Sequence, residues 1–178
     1  FDSKAEKAGV GTRCMKSLWK DLPHKFPKEK FDFLFCRGNS FIYANGGWNV
    51  MAEIDFSNTV EGYKQTLSKF YDLLRPGAWI YIDKFKDSET SNFEKIGKIK
   101  VKDRIEDLIF WTQRFPEKRV RQASVIRKLG DQEIGVPNIT YDLSGRELEA
   151  MMDEVGFINI QKIILPSESH FDILIGQK

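Results

Sequence analysis

The chain has 178 residues, 41% hydrophobic and 30% charged, a composition that fits one globular domain and excludes a disordered chain. Its 28 basic and 26 acidic residues are interspersed and leave a net charge of +2, so the clustered positive charge of a nucleic-acid binder is missing. No apolar run approaches the roughly 18 residues of a membrane span, and no signal peptide is expected before the first strand. The expectation is a protein with neither a membrane nor a nucleic-acid partner. Cys14 and Cys36 each lie in an apolar run and read as reduced thiols, which points to the cytoplasm. His24 and His170 have no second ligand-type residue at a metal spacing, and no metal site is expected.

In chain order, "SKAEKAGV" reads as the end of a helix already under way, closed by Gly9 as a C-cap. With Phe1 in place of a methionine, this leads to the expectation that the sequence is the C-terminal part of a longer chain. "TRCMKSLW" is a short strand candidate, and "PHKFPKEK" a polar loop with two prolines. "FDFLFC", residues 31–36, reads as a strand apolar on both faces, as in parallel sheets. It stops at Arg37-Gly38-Asn39-Ser40, which is either a simple turn or a strand end that delivers a glycine and an amide to a ligand. The segment from Gly38 to Asp55 contains Gly46-Gly47 and Trp48 and is long enough to be functional.

Ser57 or Asn58 can cap the next helix, in which Val60, Tyr63, Leu67, Phe70, Tyr71 and Leu74 recur at helical spacing. The helix is expected to stop before Pro76-Gly77, with "AWIYID" as the next strand. Strand, helix and strand in that order imply a parallel pair. Residues 84–92 read as a polar loop, and residues 95–140 as an antiparallel insertion of short alternating strands. Ser144 and Glu147 bracket a capping box for the helix "GRELEAMMDEV", which Gly156 ends. "FINIQKIIL" and "FDILIGQK" close the chain as an antiparallel hairpin.

Four stretches in this order, "FDFLFCRGNSF", "LLRPGAWIYID", "LSGRELEAMMDEVGF" and the closing hairpin, resemble the second half of a class I S-adenosylmethionine-dependent methyltransferase. "GNSF" after the strand is similar to the glycine and glycine/sarcosine N-methyltransferases of betaine synthesis. The resemblance covers most of the chain from about residue 12 onward. It implies an α/β fold: a Rossmann-like methyltransferase core from residues 1–94 and 141–178, with residues 95–140 as an antiparallel lid over the substrate. The alternative role of that insertion is a dimerisation surface in a homo-oligomer.

The resemblance further implies S-adenosyl-L-methionine as cofactor, S-adenosyl-L-homocysteine as product, and a small amine or amino acid as acceptor. It carries cofactor contacts to Ser17, Leu18, Trp19, Cys36, Arg37, Gly38 and Ser40, with Trp19 against the adenine face. Asn39 and Tyr141 take catalytic roles, and Asn39 also holds substrate. Tyr43, Trp48 and Trp111 are substrate contacts, suited to cationic methylated amines through their ring faces. The glycine-methylating members grip the substrate carboxylate with an arginine where this chain has Phe85. Lys84, Lys86 or Arg37 is expected to replace it, unless the acceptor differs.

Two departures from the family pattern keep rivals open. Leu18 stands where a polar adenine contact is expected, and neither the glycine-rich loop nor the acidic ribose-binding residue occurs in the sequence. A methyltransferase for another small acceptor and a non-catalytic methyltransferase-like subunit are therefore the alternatives.

Overall fold

The computed structural model describes residues 7, 9, 17, 19–44, 56–130, 132–135, 137–168 and 170–178. The stretch expected to form a strand before Trp19, and the Gly46-Gly47-Trp48 segment, lie outside these residues. Lys7 is helical and Gly9 has φ +66°, as a glycine C-cap requires.

Two sheets make up the fold. The first contains β1 (Phe31–Cys36), β2 (Leu74–Phe85), β8 (Ile158–Ile163) and β9 (Phe171–Gln177), in the order β1-β2-β9-β8. β1 and β2 are parallel, joined through α2 (Phe56–Leu73), while β9 runs antiparallel between β2 and β8. The closing hairpin therefore forms as its sequence suggests. Its last strand lies at the centre of this sheet, so the final residues of the chain are core: Ile173 and Leu174 are buried. A single helical turn, α1 (Leu22–Lys25), carries Pro23 in its first turn, where a missing N–H costs nothing; the sequence reading has this segment as loop.

The second sheet is the insertion. β3 (Ser91–Val101), β4 (Arg104–Phe115), β5 (Val120–Leu129) and β6 (Gln132–Ile134) pair antiparallel in that order, and β7 (Asn138–Tyr141) pairs with the other end of β5. It starts at Ser91, four residues earlier than the alternation alone suggests, because Ser91 to Phe93 find partners in Trp111 to Gln113.

α3 (Gly145–Val155) begins with the capping box: Glu147 N–H donates to the Ser144 hydroxyl at 3.2 Å, and Ser144 N–H donates to the Glu147 carboxylate at 2.9 Å. Gly156 ends it at φ +107°. Both helices pack on one face of the first sheet, where Phe70, Leu67, Leu148 and Met152 meet Ile80 and Ile82 in the core.

Two expectations need correction. The strand after α2 begins at Leu74 and incorporates Pro76-Gly77 rather than starting beyond them, since Leu74 already pairs with Phe31 and Gly77 N–H bonds Lys178 O at 2.7 Å. β1 is not buried on both faces: Phe33 and Phe35 are 52% and 55% exposed. Among the described residues only one layer of helices covers this sheet, so the alternate side chains of β1 stack along its open face, Phe35 on Tyr81 with centroids 4.3 Å apart.

Candidate active site

β1 and β2 end side by side, and Asp83 of β2 holds the turn at the end of β1. Its carboxylate is fully buried. Gly38 N–H donates to one oxygen at 2.9 Å and Asn39 N–H to the other at 2.6 Å. Both residues adopt left-handed backbone, at φ +75° and +56°, a conformation natural to glycine and tolerated by asparagine. Successive amides in such a turn form an anion-binding concavity, and here the anion is the chain's own Asp83. The Ser40 hydroxyl completes the turn by donating to Arg37 O. The abrupt end of "FDFLFC" is thus a turn locked onto the neighbouring strand. The space where a Gly38 side chain would stand is open, with no atom of the described residues within 4 Å beyond its own chain neighbours.

The Asn39 side chain also bonds to β2. Its Oδ1 accepts from Phe85 N–H at 3.3 Å, while its Nδ2 is buried and has no hydrogen-bond partner among the described residues. A cavity of about 10 Å³, room for about one water, lies beside it. Phe85 and Lys84 close it from β2, Arg121 from β5, Tyr141 from the end of β7, and Asp142 from the link to α3.

Around the cavity runs a buried polar network. Asp142 accepts from Arg114 Nε and, at 3.3 Å, from Arg121 Nε. Arg121 Nη2 donates to Lys86 O at 3.0 Å and Glu89 O at 3.3 Å, and its guanidinium lies 5.2 Å from the Phe85 ring centroid. Arg121 Nη1 is buried with no hydrogen-bond partner among the described residues. Burial draws the Arg121 guanidinium below the ordinary arginine value, against the pull of Asp142.

The Lys84 ammonium donates to Phe85 O and Asp87 Oδ1, both at 2.6 Å, with Asp172 at 3.8 Å. Burial holds its pKa below that of an ordinary lysine, opposed by Asp87. Phe85 itself stacks between Phe110 of β4 and Phe171 of β9, with centroids 5.6 and 5.4 Å away, which pins the insertion to the first sheet at this point.

Of the residues singled out in the sequence, Asn39, Lys84 and Tyr141 line this cavity. Tyr141 is buried under Arg119 at 4.9 Å, and its hydroxyl donates to Glu147 at 2.7 Å; burial and the Glu147 bond push its pKa up. Gly38 and Ser40 build the turn. Arg37 is turned to solvent and paired with Glu168. Cys36 is buried in the core, its thiol pushed up to about 12 by burial and by Asp83, so it is inert as a nucleophile.

Trp19 packs edge-on to Phe70 at 5.1 Å, and Ser17 precedes it on an irregular segment. Tyr43 ends the short helical turn after Asn39 and is half-buried. Lys86 is half-buried just beyond β2, giving its carbonyl to Arg121. Trp111 falls on the opposite face of β4 from Phe110, by the alternation of the strand, and so faces away from Phe85. Leu18 and Trp48 lie outside the described residues.

Asp83, Arg121 and Asp142 are the site residues that sequence reading missed. One signal was present: in the alternation of β5, Arg121 shares a face with Ala123, which is buried, and a charge on an inward face demands a partner. No three metal-ligating side chains cluster among the described residues, and no helix among them is long and apolar enough to cross a membrane.

Glu147 joins this region to α3. Burial raises its pKa, but the Ser144 amide, the Tyr141 and Ser144 hydroxyls and Arg119 outweigh that and hold it below the usual carboxylate value. A carboxylate with a depressed folded pKa contributes stability above its unfolded value of about 4.3, and that contribution is lost as pH falls through the folded value. Urea titrations at pH values from about 5 down to 3 should show stability falling in wild type and a flatter dependence in Glu147→Gln. Parallel curves for the two proteins would remove Glu147 from the acid response.

No protein-family model matches the chain, and no curated protein sequence matches it. Solved structures do. A S-adenosylmethionine-dependent methyltransferase from Clostridium acetobutylicum superposes over 99% of this chain and 68% of its own, at 11% identity and TM-score 0.59. The amino pentose methyltransferase CalS10 from Micromonospora echinaspora matches 84% of this chain and 59% of its own, at 11% identity and TM-score 0.58. The sugar N-methyltransferase KedS8 from Streptoalloteichus matches 99% and 66%, at 12% identity and TM-score 0.57. The chain therefore has the Rossmann-like methyltransferase fold, and it spans 59% of the length of CalS10 and about two thirds of the other two.

Proposed function

We propose that this protein is a S-adenosylmethionine-dependent methyltransferase acting on a small-molecule amine. The observation that carries this is the strand end. In open α/β sheets ligands bind outside the carboxyl ends of the strands, and there the Asp83-anchored turn leaves open space at Gly38 beside a buried amide at Asn39. The space at Gly38 fits the amino-acid end of the cofactor, which Arg37, Gly38 and Ser40 would border. Trp19 is the described aromatic proposed for the adenine.

Bound cofactor supplies a methyl group already activated by its sulfonium. The chain's own contribution is alignment, which can supply on the order of 7–11 kcal/mol, so no separate nucleophile is needed. Asn39 orients the acceptor, and the insertion excludes water by covering Phe85. Glycine, sarcosine or dimethylglycine, on the way to betaine, is the acceptor that the "GNSF" stretch favours. A second reading, an amino-sugar acceptor, is favoured by the named substrates of CalS10 and KedS8.

The test is transfer of labelled methyl from S-adenosylmethionine by the native protein, together with calorimetric binding of S-adenosylhomocysteine. Label is expected on the glycine series. Label on amino sugars alone would select the second reading, and no binding of either cofactor form would leave the fold without its chemistry.

A further inference from the structure

A second cavity lies where β8 ends and β9 begins, beside the end of β2. It has a volume of about 240 Å³, and Ile163, Ile164, Leu165 and Phe171 form its apolar wall. Lys86, Ser88 and Lys162 also line it, and it shares no lining residue with the cavity at Asn39. Phe171 lines this cavity and Phe85 the other, and the two rings stack with centroids 5.4 Å apart. A wall of two aromatic rings divides the cavities.

The charges around it are unequally matched. Asp172 is buried; it pairs with Lys162 at 2.7 Å, lies 3.8 Å from Lys84 and accepts from Asp87 N–H at 3.1 Å. Glu168 is paired with Arg37, just past β1. Both carboxylates of the cavity are therefore answered. The half-buried Lys86 gives its carbonyl to Arg121, but its ammonium has neither a hydrogen bond nor an ion pair among the described residues, and the Ser88 hydroxyl is unused among them as well. A charge partly withdrawn from water calls for a partner, and here the fold supplies none.

We propose that this cavity binds a small organic monoanion, with a carboxylate head on Lys86 and Ser88 and a compact aromatic or branched body against Ile163, Leu165 and Phe171. Ligand sites are concave and mostly apolar, with a few placed polar groups, and this cavity has that make-up. Its rim supports the same occupant. Ile164 and Leu165 are 86% and 41% exposed, apolar surface that such a body would remove from water.

Size sets the class of ligand. An apolar cavity of about 150 Å³ accepts benzene, so one of about 240 Å³ admits a single ring together with its carboxylate. The occupant is distinct from the methyl acceptor, whose proposed place at Asn39 lies across the Phe85–Phe171 wall. The resemblance offers Lys86 to that acceptor; the fold puts it at this cavity instead.

The probes are benzoate, benzamide (the same ring without the charge) and acetate (the charge without the ring). Each is titrated calorimetrically into the native protein, Lys86→Met and Leu165→Ser. Benzoate is expected to bind saturably to the native protein, about 10-fold or more tighter than benzamide or acetate. Lys86→Met keeps an unbranched apolar stem and should bring benzoate down to the affinity of benzamide. Leu165→Ser, at a partly exposed position, should weaken benzoate and benzamide alike, and so reports even if Lys86→Met fails to fold.

Methyl resonances locate the binding: those of Ile163 and Leu165 should move with benzoate. Equal affinity for benzoate and benzamide, or benzoate binding that Lys86→Met leaves unchanged, would overturn the site. So would an absence of saturable benzoate binding, or shifts at Ile42 and Leu143, which line the Asn39 cavity, in place of those at Ile163 and Leu165.

Discussion

Asp83→Ala is expected to destabilise the protein by roughly 3–6 kcal/mol, from two charge-assisted hydrogen bonds at about 1.5–3 kcal/mol each. The carboxylate is fully buried and is the acceptor for both Gly38 N–H and Asn39 N–H, so its loss leaves the amides of two left-handed residues without their acceptor. Such a loss is a large share of the roughly 5–15 kcal/mol that a domain has. Urea denaturation measures it, and a midpoint shift at unchanged slope would place the effect in the folded state. The same substitution releases Asn39, so cofactor and acceptor binding should fall together in whatever folded protein remains. A change below about 1 kcal/mol would mean that these bonds exchange for water without cost, contrary to their burial.

Asp142→Ala is the second large effect. Arg114 and Arg121 both donate to this carboxylate, and Arg121 is 3% exposed. Removing one partner of a buried ion pair costs about 3–5 kcal/mol, because a charge is stranded in a dry environment. The double variant Asp142→Ala with Arg121→Met is expected to cost less than the sum of its single changes, by a coupling of about 0.5–3 kcal/mol. Additive costs would show that the two side chains do not depend on one another. These two aspartates anchor opposite walls of one cavity, Asp83 the strand end and Asp142 the insertion.

Much of this fold was legible in the sequence because its signals are local. The 3.6-residue spacing from Val60 to Phe70, the Ser144–Glu147 box and Gly156 at φ +107° are each decided within a few residues by backbone geometry and capping. The antiparallel insertion and the closing hairpin were readable from alternation, as the pairing of β4 with β5 and of β8 with β9 bears out. Fold likeness to methyltransferases extends that reading to the whole chain.

What the sequence determined by itself, then, was the order and type of most elements, and the abrupt strand end at Gly38-Asn39 around which the ligand site is proposed. Only the tertiary structure decided how that strand end is held and what faces it. Asp83 lies 44 residues beyond Asn39 and Arg121 lies 35 beyond Lys86, and no local pattern reveals which buried charge meets which turn. Such pairings are selected by desolvation, which acts between surfaces brought together only when the two sheets pack. The exposed faces of Phe33 and Phe35 make the same point in reverse: an apolar strand announces itself in sequence, but what covers each face is a property of its neighbours.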